Sequence, residues 1–371
     1  MLLSKSLYNT SELWYILCIS RNETEYVMRR SCKKMYLKKL YNDLDTLVDE
    51  AMAGSRLIAQ PDADKYSRVL PNSRITVRTD KYKKPKGLVK LTLGGGAGHE
   101  GPPGVFIRPG GFDAATQGDI FTAPSAMQMF RAIQAIDDGS PIIMNVARHA
   151  GDVLNAKLCK QLCEAHGIDK VYLSIGGNDV ASAPKGHEKE RRAIGGALNA
   201  TSIMAECGES VEEILRVAEK CDSLSRSYGV GIRSAIHPIS GLPIMAMPED
   251  EIEMGIGVHG ESSGNRIKLP RSRELAQMVC KILLDDMPIP SGSDIVLSLG
   301  GLGGMTWTEL DILYKDLYEF LVYDCGYNIW RHSVRNSGTQ ELGGFILSIG
   351  YPDDEIKKWM TTRLPKGLYP D

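Results

Sequence analysis

Histidine is the residue type in this chain best suited to nucleophilic or acid–base chemistry near neutral pH. Two of the seven histidines, His99 and His259, follow apolar, strand-like runs and are flanked by glycines or other small residues. Glycine beside a strand end lets a ligand approach the backbone closely. These two are therefore candidate site residues, although a structural histidine also fits this setting. The pattern favours surface positions for His166 and His187 and a structural role for His332, and leaves His149 and His237 undecided.

His99 lies in a glycine-rich stretch, LTLGGGAGHEGPPG, at residues 91–104. Residues 96–101 match the string GxGxxG of dinucleotide-binding loops, but such a loop must open directly into a helix. Prolines and further glycines follow here, which disfavours a dinucleotide. The sequence contains no GxxxxGK[ST] string either, so the chain lacks a recognisable phosphate-binding loop. A nucleotide needed for phosphoryl transfer is then expected from outside this chain.

The composition is that of a soluble globular protein, with 43% hydrophobic residues, 24% charged residues and a formal net charge of −2. Without a clustered basic excess, nucleic-acid binding has no support. The apolar run LWYILCIS is too short to span a membrane. The eight cysteines are scattered without a CxxC pair, which predicts no metal site and reduced cysteines in a cytoplasmic protein. Cys159 and Cys163 share one face of a predicted helix.

Strand-like runs alternate with helix-like runs along most of the chain. This alternation predicts an α/β fold of two α/β domains, with largely parallel or mixed sheets flanked by helices. A helix is predicted to begin at Met35 and to stop at Gly54. The predicted units are an extension of unknown role at 1–34, a first domain with the glycine loop at 35–222, and a second domain with His259 at 223–371.

Eight short motifs, taken together and in this order, resemble dihydroxyacetone kinases, and the similarity is to the dihydroxyacetone-binding K subunit. It spans about residue 35 to residue 356, nearly the whole chain. The motifs are GGGAGHE (94–100), DIFTAPSAMQ (119–128), GDVLN (151–155), NDVA (178–181), RRAIGG (191–196), EIEMGIGVHGES (251–262), GGLGGMTWTEL (300–310) and GGFILSIGYPDDEI (343–356).

The resemblance implies a short ketose held covalently as a hemiaminal, on the histidine that matches His259. It also implies that Asp152 acts as the catalytic base and that His99 holds the substrate oxygen. From its place in the sequence alone, Asp152 also fits the N-cap of a helix. The predicted substrate-binding residues are Gly95, Gly96, Ala97, Gly98 and Arg148.

Further implications concern partners. No cofactor is expected on this chain. A separate L subunit would carry the nucleotide with magnesium, either as exchangeable ATP or as bound ADP that a phosphotransferase-system protein rephosphorylates. The resemblance also implies a homodimer.

The sequence departs from the family pattern before Asp152, where ARHAGD at residues 147–152 replaces K-N-Y-T-G-D. Ala147 takes the place of the lysine and His149 that of the tyrosine, so Arg148 is the candidate replacement for the missing cation. This change leaves two alternatives open. The substrate is a four-carbon ketose such as erythrulose, or the chain is a non-catalytic ketose sensor that acts as a transcriptional coactivator. Retention of all three candidate catalytic residues favours the enzyme.

Overall fold

The computed structural model describes residues 39–59, 63–98, 103–245, 247–336 and 341–370. His99 and the predicted extension at 1–34 lie outside these residues. Within the described part of the chain, none of the helices combines the length and apolar character that crossing a bilayer requires.

The first sheet has six strands in the order β1-β2-β4-β3-β5-β6. Its central strands β3, β4, β5 and β6 run parallel, while β1 and β2 are antiparallel additions at one edge. The strands are β1 (Ser67–Val69), β2 (Ile75–Arg78), β3 (Lys90–Ala97), β4 (Ala114–Ile120), β5 (Ile142–Ala147) and β6 (Val171–Gly176). The helices of this half are α1 (Leu47–Ala59), α2 (Ala63–Tyr66), α3 (Ala126–Ile136), α4 (Ala150–Ala165), α5 (Thr201–Glu206) and α6 (Val211–Ser223).

The second sheet also has six strands, in the order β11-β10-β12-β7-β8-β9. Only β10 and β11 are parallel, and the other four pairings are antiparallel. The strands are β7 (Ser225–Arg233), β8 (Glu251–Met254), β9 (Arg266–Lys268), β10 (Asp294–Gly301), β11 (Asn328–Asn336) and β12 (Gly343–Gly350), with helices α7 (Ser272–Asp286), α8 (Trp307–Tyr318) and α9 (Asp354–Thr361). Two mixed sheets flanked by helices confirm the predicted fold class.

Shorter helical turns complete the described structure. Three are 3-10 turns, at Asp80–Tyr82, Pro103–Phe106 and Glu188–Glu190, and a π-helical turn at Glu319–Asp324 continues α8.

Helices cover both faces of the first sheet because its strands are apolar on both sides. Ile142 and Met144 of β5 pack with α3 and α4, whereas Ile143 between them packs with α5 and α6 on the opposite face. The last helix, α9, returns to this second face and contributes Ile356 and Trp359 to its core. The domain division at 222/223 stays a prediction.

The segment after β6 joins the two sheets. The Val180 N–H donates to the Ser227 carbonyl at 3.0 Å, and the Ser227 N–H donates to the Asn178 carbonyl at 2.9 Å. Asp179 forms an isolated parallel bridge with the same serine of β7. These contacts bring the carboxyl end of the first sheet against the second sheet.

The described residues depart from the predicted first helix in two places, and its predicted start at Met35 lies outside the described residues. Residues 39–46 are not helical, and the Asp45 N–H bonds to the Asp43 carboxylate at 2.9 Å, a local turn that competes with helix. Gly54 does not stop the helix, because one interior glycine costs only about 1 kcal/mol. The described cysteines are all free, and Cys159 and Cys163 are buried in α4.

Candidate functional site

The site begins where β5 ends at the carboxyl edge of the first sheet. In an α/β sheet this edge is where ligands bind. His149 is the N-cap residue of α4, although its side chain makes no capping hydrogen bond. Asp152 lies in the first helical turn, where the helix dipole favours a carboxylate. The alternative interpretation of Asp152 as the N-cap is therefore wrong.

The Asp152 carboxyl group is nearly enclosed, with the residue only 8% exposed. Its Oδ1 atom is buried and has no hydrogen-bond partner among the described residues. Burial raises the pKa of Asp152 to about 6, and the charge of nearby His259 opposes this rise only partly. A carboxyl group with a pKa near the working pH is well suited to accept a proton.

His259 lies in a loop that follows β8. The strand-like run before His259 predicts a strand that reaches the histidine, but β8 ends at Met254. Gly255 has φ +82° and Gly260 has φ +86°, values that an L side chain rarely adopts. The Gly260 N–H donates to the Gly257 carbonyl at 3.1 Å, which closes a tight turn around the histidine.

Glu253 of β8 holds this loop in place through hydrogen bonds. Its buried carboxylate accepts hydrogen bonds from the Ser262 hydroxyl at 2.5 Å, from the backbone N–H groups of Ser263 and Gly264 at 2.8 Å each, and from Arg266 Nε at 3.0 Å. Burial by itself raises the pKa of Glu253, but these donors outweigh it and bring the pKa to about 2. The carboxylate therefore stays ionised and holds the loop at neutral pH.

Glu261 orients the His259 imidazole. Its Oε1 atom lies 2.8 Å from Nδ1 of His259, and its Oε2 atom accepts the His259 backbone N–H at 2.9 Å. Burial raises the pKa of Glu261, but the hydrogen bond and the charge of His259 prevail and bring it to about 2. An ionised acceptor at Nδ1 favours the tautomer with a proton on that nitrogen, so in the neutral ring the lone pair is on Nε2.

Two further rings face His259. The His149 ring centroid lies 5.2 Å from that of His259, and the Phe121 ring centroid lies 5.4 Å away. Burial, and then the charge of His259, lower the pKa of His149. His237 lies on the other side of Phe121, with a centroid distance of 5.8 Å.

Arg192 supports the loop from the joining segment. Its Nη2 atom donates to the Gly255 carbonyl at 3.0 Å, and its Nε atom donates to the buried Asp179 carboxylate. Arg192, Phe121 and Glu261 all lie in motifs quoted from the sequence, but no role was predicted for them. The contact between His149 and His259 was not predicted.

The predicted glycine loop is partly a strand. β3 runs through Ala97, and Gly95 pairs with Gln117 of β4. A Cβ atom on Gly96 would lie 2.8 Å from the Thr122 nitrogen, so only glycine permits this packing. Gly98 has φ +93°, and a Cβ atom there would lie 2.6 Å from the Phe121 ring. Gly98 thus packs on the same ring that contacts His259, while substrate binding by these backbone groups stays a prediction.

Arg148 lines two cavities. Its Nη2 atom donates to the Ile175 carbonyl at 2.9 Å, while its buried Nε atom has no hydrogen-bond partner among the described residues. One cavity, of about 540 Å³, includes Asp222. Burial raises the pKa of Asp222, and the Gly177 N–H and the Arg148 charge oppose this rise only partly. The other cavity, of about 510 Å³, includes His149 and Arg192. A contact of Arg148 with substrate stays a prediction.

One group of the site has the chemistry of metal ligands. One nitrogen or oxygen atom from each of His149, His259 and Glu261 lies within 4.8 Å of the other two. The remaining residues of the site are better suited to proton transfer and to backbone support.

Comparisons with known proteins show what the chain is similar to. A family model described as the Dak1 domain matches residues 59–365. The chain is 30% identical over 328 residues to the dihydroxyacetone-binding subunit of PTS-dependent dihydroxyacetone kinase 1 from Listeria innocua, covering 87% of this chain and 96% of that protein. It is 29% identical to D-erythrulose kinase from Mycolicibacterium smegmatis, covering 87% of this chain but only 55% of that kinase.

A solved structure gives the same result. The dihydroxyacetone kinase from C. freundii, in complex with AMP-PNP and Mg²⁺, superposes with a TM-score of 0.77 at 26% identity, covering 90% of this chain and 61% of that one. The chain therefore spans little more than half of these longer kinases. These findings confirm the predicted resemblance and the predicted enzyme class, a phosphotransferase with an alcohol group as acceptor.

Proposed function

This chain belongs to the Dak1-domain family, and on that premise we propose that it binds a short ketose covalently on His259 for phosphorylation of the ketose by a separate subunit. The observation that carries the proposal is the pairing of Nδ1 of His259 with Glu261, at 2.8 Å, in the same site as Asp152. This pairing leaves Nε2 as the nucleophilic nitrogen, next to a base of suitable pKa.

The proposed covalent step is simple. Nε2 of His259 attacks the ketone carbon, an N–C bond forms, and the electrons of the C=O π bond move to the oxygen. The Nδ1 proton passes through Glu261 to solvent water, and solvent water supplies one proton to the oxygen, so the step involves no net gain or loss of protons. Only a carbonyl compound can react, which excludes glycerol, a polyol of similar size, more strictly than pocket shape alone would.

Asp152 would then act in phosphoryl transfer. It would take the proton from the terminal hydroxyl of the bound ketose as that oxygen attacks phosphorus. Its enclosed carboxyl group and its raised pKa, about 6, support this role. His99 would hold the substrate oxygen, and the backbone of residues 95–98, together with Arg148, would contribute to substrate binding.

The phosphoryl group would come from a nucleotide-carrying partner subunit. Beside Asp152 on α4, Leu154 is 68% exposed and Leu158 is 47% exposed, while Met127 of α3 is 54% exposed. Apolar side chains exposed next to a reaction site are typical of a docking surface. We infer that the partner covers these residues and brings its nucleotide and magnesium to the ketose. ATP exchange and rephosphorylation by a phosphotransferase-system protein are both compatible with this arrangement, as is a homodimer of this chain.

Erythrulose is the second candidate substrate. D-Erythrulose kinase is among the relatives that match 87% of this chain. The replacement of K-N-Y-T by A-R-H-A before Gly151 also changes the surroundings of the substrate. A ketose sensor without catalysis would form the same adduct but would transfer no phosphate.

Native mass spectrometry of the intact chain tests the proposal. The protein is offered dihydroxyacetone, erythrulose and glycerol in turn, and the His259→Ala variant is compared with the wild type. We expect a mass increase with a ketose, none with glycerol and none in the variant. His187→Ala is the matched control, because the exposed side chain of His187 pairs with nearby Glu190. A folded wild-type protein that forms no ketose adduct would reject the proposal.

A further inference from the structure

Three metal-ligating side chains meet beside the proposed nucleophile although they come from different parts of the fold. His149 caps α4 at the edge of the first sheet, whereas His259 and Glu261 belong to the loop after β8 of the second sheet. One nitrogen or oxygen atom from each lies within 4.8 Å of the other two. We propose that these residues bind one divalent transition-metal ion, Zn²⁺ above all, and that the bound ion blocks hemiaminal formation.

The distances suit such an ion. Ligand atoms about 2.1 Å from zinc lie roughly 3.0–3.4 Å from one another. Nδ1 of His259 and Oε1 of Glu261 are already 2.8 Å apart, so a small separation of this pair admits the ion. The His149 ring, with its centroid 5.2 Å from that of His259, completes a three-residue set after a modest rotation. Other positions around the ion would be filled by water.

The ligand types favour transition metals over magnesium and calcium. Two imidazole nitrogens and one carboxylate oxygen suit zinc and other first-row divalent metals. Magnesium and calcium prefer sites made of oxygen ligands. The magnesium that accompanies a nucleotide would therefore not fill this site, which makes magnesium a useful control.

The surrounding charges also admit a dication. Glu261 and Asp152 supply two carboxylates near His259. The cation Arg192 is paired with the Asp179 carboxylate and with the Gly255 carbonyl. Its positive charge is therefore partly compensated before a metal ion arrives.

Blocking follows from the chemistry of imidazole and rests on the proposed function. A neutral imidazole has one nitrogen lone pair available in its plane, because the other nitrogen carries the proton. If the ion binds Nδ1 of His259, the ring proton moves to Nε2, which can no longer attack a carbonyl. If the ion binds Nε2, the nucleophile itself is occupied. No oxidation or reduction is involved, and removal of the ion restores the nitrogen.

The experiment uses the full chain after treatment with EDTA and removal of the chelator. Zn²⁺ is titrated by calorimetry and Co²⁺ by its visible absorption, and the dihydroxyacetone adduct is then measured with and without Zn²⁺. We expect one ion per chain and an adduct yield at least tenfold lower with saturating zinc. His149→Tyr should weaken zinc binding at least about 100-fold, since loss of even an outer-shell partner costs about 10–100-fold. In that variant the ratio of adduct yields with and without zinc should be near one.

The experiment has its own controls, and separate outcomes would contradict the metal site and the blocking. His187→Ala should bind zinc as the wild type does, and magnesium at equal concentration should not lower the adduct yield. Unchanged zinc affinity in both His149→Tyr and His149→Asn would overturn the site, as would a wild-type chain that binds neither zinc nor cobalt. Zinc bound with an undiminished adduct would overturn the blocking. If metal-free protein forms no adduct, the proposed function and the blocking fail together, while the cobalt spectrum still decides the metal site.

Discussion

The two sheets position their functional groups in different ways. In the first sheet, the parallel strands β3 and β5 end side by side, and Asp152 lies in the helix that follows β5. The second sheet is mostly antiparallel, and His259 lies in an irregular loop that Glu253 holds through four donors. The sheet topology thus positions Asp152, whereas a local hydrogen-bond network positions His259. We expect the first half to move the proton and the second half to form the covalent bond.

The largest expected effect separates these two roles. Asp152→Asn should lower the phosphorylation rate about 10²–10⁴-fold, the usual contribution of a general base. The ketose adduct on His259 should persist in this variant, because the asparagine does not touch the nucleophile. Adduct mass and phosphate transfer, measured on the same sample with a nucleotide-carrying subunit, check the division. If Asp152→Asn lost the adduct as fully as His259→Ala does, the proposed division of roles would be wrong.

A pH profile sharpens the same distinction. Because the pKa of Asp152 is raised to about 6 and the ionised form is the base, the rate should rise with pH up to about 6 and level off above it. At pH 4.5 the rate should be about thirtyfold below the plateau, since the ionised fraction falls tenfold per pH unit. Single-turnover phosphorylation of preformed adduct, after a jump in pH, gives the profile. A flat profile between pH 5 and pH 7 would contradict the assignment.

The next largest effect is expected at Glu253, the residue that holds the His259 loop in place. Glu253→Gln removes the charge that four donors share, so we expect the adduct to form about tenfold less readily and the free energy of unfolding to fall by about 1–3 kcal/mol. Adduct yield and denaturant unfolding measure the two effects. Glu251→Gln, two residues earlier on β8, is the matched control and should change neither. Equal effects of the two variants would mean that the network does not position the loop.

The smallest expected effect concerns the partner. Leu154→Glu should weaken binding of the nucleotide-carrying subunit about fivefold, because about 1 kcal/mol is typical for one apolar contact within an interface. The adduct should form as before. Leu269→Glu, at an equally apolar position with 53% exposure on the other half, is the control. Calorimetric titration of the two chains provides the affinities, and identical values for both variants would reject α4 as the docking surface.

Much of the first half could be predicted from sequence. The run KVYLSIG contains β6, SPIIMNV contains β5 except its last residue, and GLVKLTL contains the first half of β3, because a strand buried on both faces is apolar throughout. His99 and His259 became candidates through their residue type and neighbouring glycines, whereas the catalytic roles of these two and of Asp152 came from motif resemblance. Periodicity alone left Asp152 compatible with a simple helix cap.

The remaining features depend on contacts that no local pattern contains. His149 and His259 are far apart in sequence, and they meet only because Val180 and Asn178 join the first sheet to β7. The anchoring role of Glu253 was equally hidden, because alternation along a strand indicates burial but not the donors of a following loop. The end of β8 was missed because the positive φ of Gly255 is a property of the turn it enters.

The return of α9 to the first sheet also has a consequence for synthesis on the ribosome. Ile356 and Trp359 belong to the same buried cluster as Leu91 and Ile143, although the whole second sheet separates them in the chain. Domains generally fold from the N-terminus as the chain emerges. Here the first sheet cannot complete its core until Ile356 and Trp359 have been translated. The half that holds the proposed base therefore keeps part of its apolar surface uncovered until the half that holds the proposed nucleophile has been synthesised.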